Sequence, residues 1–100
     1  MGRRPLEVRN MKFDVGEIVI TPAAAAALET NSQCLEELLA RHQTGDWGDV
    51  SEQVRAVNER GLVEQFNVQS TYQLPAGERV VLVTNAKRSL TMVHLDARAT

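Results

Sequence analysis

From Gln65 to Leu74 the side chains change character at every step. Phe66, Val68, Ser70, Tyr72 and Leu74 fall on one side, and Gln65, Asn67, Gln69, Thr71 and Gln73 fall on the other. A period of two is the pattern of a half-buried β-strand with one wet face. Pro75-Ala76-Gly77 follows at once and reads as a hairpin, a type I turn closed by a glycine bulge. Arg79–Thr84 then holds Val80, Val81, Leu82 and Val83 in unbroken succession, as in a strand covered on both faces. Asn85-Ala86-Lys87-Arg88 turns the chain again, and Leu90–Leu95 is the last strand. The second half is therefore a hairpin-built antiparallel sheet, which must bury its dry face against something else.

The first half supplies the cover. Val15–Ile20 is short and β-branched, hence a strand. Thr21 can cap a helix and Pro22 suits its first position, where a missing N–H costs nothing. The alanine run and Leu28 continue that helix. Thr30-Asn31-Ser32 interrupts it, and Ser32 is placed to cap a second helix in which Leu35, Leu38 and Leu39 recur at helical spacing. His42 lies three residues beyond Leu39, on or beside the same face. Thr44–Gly48 is a turn containing two glycines. Asp49 with Glu52 resembles a capping box for a third helix, with Val50, Val54 and Val57 as its apolar stripe and Gly61 at its end. The expectation is an α+β fold: a short N-terminal strand and two to three helices packed on a three- to four-stranded antiparallel sheet. Residues 13–96 form this single domain, residues 1–12 a flexible basic arm, and residues 97–100 a frayed tail. Met11 is an alternative start.

Composition narrows the function classes. Hydrophobic residues are 43% and charged residues 24%, the balance of a folded domain. The net charge is -2, and aromatics are only 4%. A protein that neutralises phosphates or stacks bases normally carries a basic excess and more rings, so nucleic acid is a less favoured partner. The basic cluster Arg3, Arg4 and Arg9 lies in the arm, and the Met-Gly start lacks the Ser or Thr at position 6 of a myristoylation signal. No apolar run approaches the ~20 residues of a membrane helix. One cysteine, Cys34, excludes an intrachain disulfide and fits a reducing cytoplasm; beside Leu35 it reads as a buried, inert thiol.

The stretch Leu38-Leu39-Ala40-Arg41-His42-Gln43-Thr44-Gly45-Asp46-Trp47-Gly48-Asp49 carries a distinctive pattern. So do Asn58-Glu59, Ser70-Thr71-Tyr72, Leu74-Pro75 with Gly77, and Thr84 with Arg88-Ser89 and Thr91. Together they resemble a family of small bacterial plasmid-related proteins carried on plasmids and other mobile elements, some labelled restriction-system subunits. The similarity runs over roughly residues 15–95. It implies a mobile-element origin and names relatives, not a reaction. Family members commonly hold an arginine where Asn67 stands, a tryptophan near Val81, and an acidic tyrosine-bearing tail where this chain ends Asp96-Ala97-Arg98-Ala99-Thr100.

Two groups of residues are candidate sites. His42, Asp46, Trp47 and Asp49 would present a ring, two carboxylates and an imidazole on one loop. Their structural reading is that Trp47 plugs the core, an aspartate caps a helix, and His42 bonds a backbone carbonyl. The second group is His42, Asn58, Ser70, Tyr72, Thr84, Arg88, Ser89 and Thr91. Helices followed by an antiparallel sheet with these side chains have the outline of barnase, colicin and RelE-like ribonucleases. There His42 would be the base or acid, Arg88 the phosphate clamp, and Ser70 and Thr91 would orient the phosphate. Structural zinc spacing, a Gly-x-Ser-x-Gly elbow, a P-loop and a dinucleotide glycine pattern are all lacking, so neither metal nor cofactor is expected. The leading expectation is a non-enzymatic accessory protein that binds a protein partner, such as a host defence component that it inhibits. A small metal-independent ribonuclease is the second reading. A homodimeric regulator, joined through its sheet edge or alanine-rich helix, is the third.

Overall fold

The computed structural model describes residues 11–96; most of the basic arm, residues 1–10, and the tail, residues 97–100, lie outside the described residues. The elements are β1 (Glu17–Ile20), α1 (Pro22–Thr30), α2 (Leu35–Gln43), α3 (Glu52–Glu64), β2 (Val68–Gln73), β3 (Arg79–Thr84) and β4 (Leu90–Leu95). The fold is α+β, with a four-stranded sheet in the order β1-β4-β3-β2. β2, β3 and β4 form the expected antiparallel meander. β1 joins β4 in parallel, so the sheet is mixed. The helices carry the chain from the end of β1 to the start of β2, and the two strands run the same way. The meander then returns β4 to that direction.

The core lies between one sheet face and the first two helices. Ala24, Ala27 and Leu28 of α1 and Leu38 of α2 pack on Tyr72, Leu74, Val80, Leu82 and Val93. Ile18, Ile20, Leu35, Leu39 and Leu95 pad its margin. Fully burying each of the core leucine and valine side chains is worth roughly 1.5–3 kcal/mol. All the strand residues in this set share one face by register. The other face carries Val19, Val81, Val83 and Met92, with Val81 buried and Val83 half-buried.

Several local expectations are corrected. Thr21 does cap α1, accepting from Ala24 N at 3.1 Å. Ser32 does not cap α2. It sits at φ +53°, in the turn that ends α1, and Cys34 occupies the cap position without a side-chain bond. Cys34 is exposed, not buried, and its Sγ donates to Glu36 Oε1 at 2.9 Å. Asp49 does not begin α3; its N–H donates to Thr71 O at 2.7 Å. Ser51 caps instead, accepting from Val54 N at 3.1 Å. Gly61 lies inside α3, and the helix ends at Gln65 in a left-handed conformation. A Cβ on Gly61 would stand 3.1 Å from Val68 Cγ1, so the glycine is there for close approach of α3 to β2. Val57 of the expected apolar stripe is 53% exposed.

The hairpin tip follows the sequence reading. Gly77, at φ +110°, donates to Leu74 O at 2.8 Å, and Leu74 N donates to Glu78 O at 2.7 Å. Asn31 at the end of α1 braces this tip. Its Oδ1 accepts from Ala76 N at 2.8 Å and its Nδ2 donates to Glu78 Oε1 at 3.1 Å.

Candidate functional site

The last turn of α2 brings His42 over the end of the sheet where β2, β3 and β4 each offer a hydroxyl on the core face. Thr84 and Thr91 are direct cross-strand partners. His42 Nδ1 lies 2.5 Å from Ser70 Oγ, and Nε2 lies 2.8 Å from Thr84 Oγ1. Thr84 Oγ1 is 2.6 Å from Thr91 Oγ1, which donates to Val15 O at 2.8 Å. All four side chains are 0% exposed.

The terminal carbonyl fixes every proton in this chain. Val15 O can only accept, so Thr91 spends its single proton there. Thr84 must then donate to Thr91, and so accepts from His42. His42 is therefore the Nε2–H tautomer, and Ser70 donates to its bare Nδ1. Desolvation, with a smaller contribution from the Arg88 charge, lowers the imidazole to a pKa of about 3. The ring is neutral at physiological pH, and the network is complete without a solvent molecule or ligand. Among the described residues no buried side-chain nitrogen or oxygen lacks a partner.

Aromatic rings close the site. Phe13 meets the imidazole edge-on at 5.0 Å and Trp47 meets it at 5.9 Å, while Phe13 and Trp47 stack at 6.1 Å. Trp47 is fully buried and its Nε1 donates to Glu59 Oε2 at 2.9 Å. Gly48, at φ +75°, lets residues 47–49 lie against β2, because a Cβ there would collide with Thr71 O and the Tyr72 ring. Tyr72 donates to Asp46 O at 2.6 Å, and burial pushes its phenol up, so it stays a donor. Asp46 and Arg41 form an exposed two-bond pair at 2.8 and 3.3 Å, and that bonding holds the Asp46 carboxyl below its usual range. The Arg41 guanidinium also lies 4.4 Å from the Tyr72 ring centroid.

Of the remaining candidates, Asn58 and Arg88 are held by backbone. Asn58 is buried on α3 and pairs with the main chain of Gln69 in both directions, at 2.7 and 3.0 Å. Arg88 donates to Phe66 O at 2.8 Å, Gly61 O at 2.9 Å and Asn85 O at 3.1 Å. Its guanidinium lies 5.2 Å from the Phe13 ring centroid, so Phe13 touches both Arg88 and His42. Ser89 is exposed and its Oγ accepts from Asn85 Nδ2 at 3.0 Å.

The structure thus brings His42, Ser70, Thr84 and Thr91 into one chain, with Trp47 against it and Tyr72 of β2 bonded to the Trp47 loop. Asn58 and Arg88 serve separate backbone junctions, Ser89 bonds the Asn85 side chain, and Asp49 bridges to β2. Among the described residues no group of three or more His, Cys, Asp or Glu side chains is arranged to hold a metal ion. No helix among them is long and apolar enough to cross a membrane. Sequence reasoning missed Phe13, the Val15 carbonyl and Glu59. Phe13 lies outside every regular element, and only its ring, in a chain poor in rings, marked it. No family model, curated protein or solved structure matches the chain.

Proposed function

We propose that this chain is a non-enzymatic accessory protein that works by binding a protein partner. The observation that carries this reading is the closure of the polar core. The residues with catalytic chemistry spend their donors and acceptors on one another, while the unused surface chemistry lies elsewhere. Between α3 and the outer sheet face runs an open groove of about 280 Å³. Val54, Val57 and Val83 form its apolar part, and Gln53, Asn67 and Gln69 border it with uncharged amides. An apolar floor with a neutral polar rim suits side chains from a protein surface better than a phosphate backbone. The sequence resemblance supports a mobile-element setting, in which a host defence component is the partner class.

The test is retention of host proteins on immobilised wild type and on Val57→Asp. A stoichiometric partner held by wild type and lost by the variant is expected. Equal retention by both, or no retained partner, would overturn the reading. The ribonuclease alternative draws on the meeting of His42 with Ser70 and Thr84, and through Thr84 with Thr91. It requires those atoms to reach RNA, and incubation of RNA with wild type and His42→Ala tests it. The binding reading predicts intact RNA in both; cleavage by wild type alone would reverse the order of the two.

A further inference from the structure

The two edges of the sheet are finished differently. On β2 the outward backbone groups of Gln69 and Thr71 are spent. Thr71 N donates to Trp47 O at 3.0 Å, Asp49 N donates to Thr71 O at 2.7 Å, and the Asn58 amide pairs with Gln69. On β1, Glu17 N donates to Ser89 O at 2.9 Å and Thr21 N to Val93 O at 3.0 Å. The odd-numbered residues therefore face β4, and the N–H and C=O groups of Ile18 and Ile20 point away from the sheet. No described residue bonds them. Natural edges are usually blunted by lysine, proline, a bulge or a covering segment. β1 reads Glu-Ile-Val-Ile, with one charge at one end.

We propose that this edge is an interface for a second copy of the chain, joined β1 to β1 in antiparallel fashion with Val19 facing Val19 on a two-fold axis. The register follows from the ends of the strand. The extended stretch runs from Glu17 to Thr21. Gly16 bends the chain before it at φ +66°, and Pro22 opens α1 after it. Val19 is the midpoint of those five residues, so only a two-fold there pairs the whole stretch with itself. Ile18 of one copy then opposes Ile20 of the other, twice over. Both are the outward-facing residues, so each pair exchanges two backbone hydrogen bonds. Core face meets core face, which keeps the side-chain alternation continuous across eight strands.

Side-chain chemistry agrees with this pairing. Val19 is 38% exposed and stands beside Met92 in the register, so the two copies of Val19 bury each other. Ile18 and Ile20, half-buried in one copy, gain an apolar cross-strand partner. Glu17 falls opposite Thr21 and not opposite the second Glu17, so no like charges meet. The strand is complementary to itself, which is what a two-fold contact demands.

Sedimentation or light scattering across a concentration series tests this on the full chain. The expected mass rises towards twice the 11.1 kDa of one chain as concentration increases. Val19→Lys puts two charges on the axis and should hold the protein at the single-chain mass with an unchanged circular dichroism spectrum. Should that variant unfold, Ile18→Pro removes an outward N–H while sparing the donors to β4, and the same loss of dimer is expected. A non-hydrogen-bonded antiparallel pair has Cα atoms about 4.5 Å apart, within disulfide reach. Val19→Cys in a Cys34→Ser background should therefore cross-link on oxidation, and Cys34→Ser alone should not. A single-chain mass at every concentration would overturn the proposal. A dimer that survives both edge variants would also overturn it.

Discussion

At the scale of single residues, the polar core depends on proton direction. Five groups form a one-way chain, Ser70 to His42 to Thr84 to Thr91 to Val15 O, and each donor has one place to go. Thr84→Val would strand the His42 N–H and leave Thr91 without its donor. Each orphaned buried group costs about 1–3 kcal/mol, so urea unfolding should show a larger loss for Thr84→Val than for Thr84→Ser, which keeps the hydroxyl. The same network makes stability depend on acid. The folded pKa of His42, about 3, lies below its unfolded value near 6.5. The contribution is complete above pH 6.5 and falls away as pH drops towards 3, because the unfolded chain takes up a proton that the folded one refuses. Between pH 7 and 4.5 wild type should lose roughly 2–3 kcal/mol through this group, and His42→Gln should lose that much less over the same range. A pH profile identical in both would show that the imidazole is not buried neutral. The face carrying Ser70 and Tyr72 was legible in the alternation of Gln65–Leu74. The partners of Ser70 were not, since α2, β3 and β4 reach it from distant sequence and no local period encodes that meeting.

At the scale of elements, two side chains join pieces that the backbone leaves separate. Asn58 acts for β2 as a neighbouring strand would, offering both a donor and an acceptor to Gln69. Asn58→Ala should cost about 2–4 kcal/mol for the two bonds and speed amide exchange at Gln69 specifically. Exchange at Gln69 that stays slow would place its protection elsewhere. Arg88 ties the β3–β4 turn to the end of α3 through the carbonyls of Gly61 and Phe66, and its own backbone sits at φ +59°. Removing the side chain loses the tie, and a Cβ at positive φ adds its own cost of about 1 kcal/mol. Arg88→Ala should therefore be less stable than Arg88→Gly by roughly that amount; the reverse order in denaturant would refute the assignment. The strands and the Pro75-Ala76-Gly77 hairpin were readable because their signals are local. The starts of α2 and α3 were not. Ser32 and Asp49 are good cap residues in isolation, but the first lies in the turn after α1 and the second in the bridge to Thr71. Gly61 looked like a stop signal and is instead a point of close packing. The direction of β1 is set by the route of the helices, which no residue within Val15–Ile20 records.

At the scale of the molecule, the uncharged polar residues that suggest chemistry have been drawn inward, and several apolar residues that suggest contact lie outside. Val57, Val63, Phe66 and Val19 are all exposed, while His42, Ser70, Thr84 and Thr91 are sealed. This inversion of the usual active-site arrangement supports the proposed binding role. It also explains the specific Arg41–Asp49 stretch without invoking catalysis. Arg41, Asp46, Trp47 and Gly48 fasten the end of α2 to β2 and close the lid over the imidazole. The account therefore stands or falls on the closure of His42. The most direct measurement is its imidazole ¹⁵N shifts through a pH titration. The arrangement described predicts a single neutral Nε2–H tautomer that holds from pH 7 to pH 4, with protonation only near 3. A midpoint close to 6.5, the value of a solvent-reached histidine, would contradict it and reopen the site to chemistry.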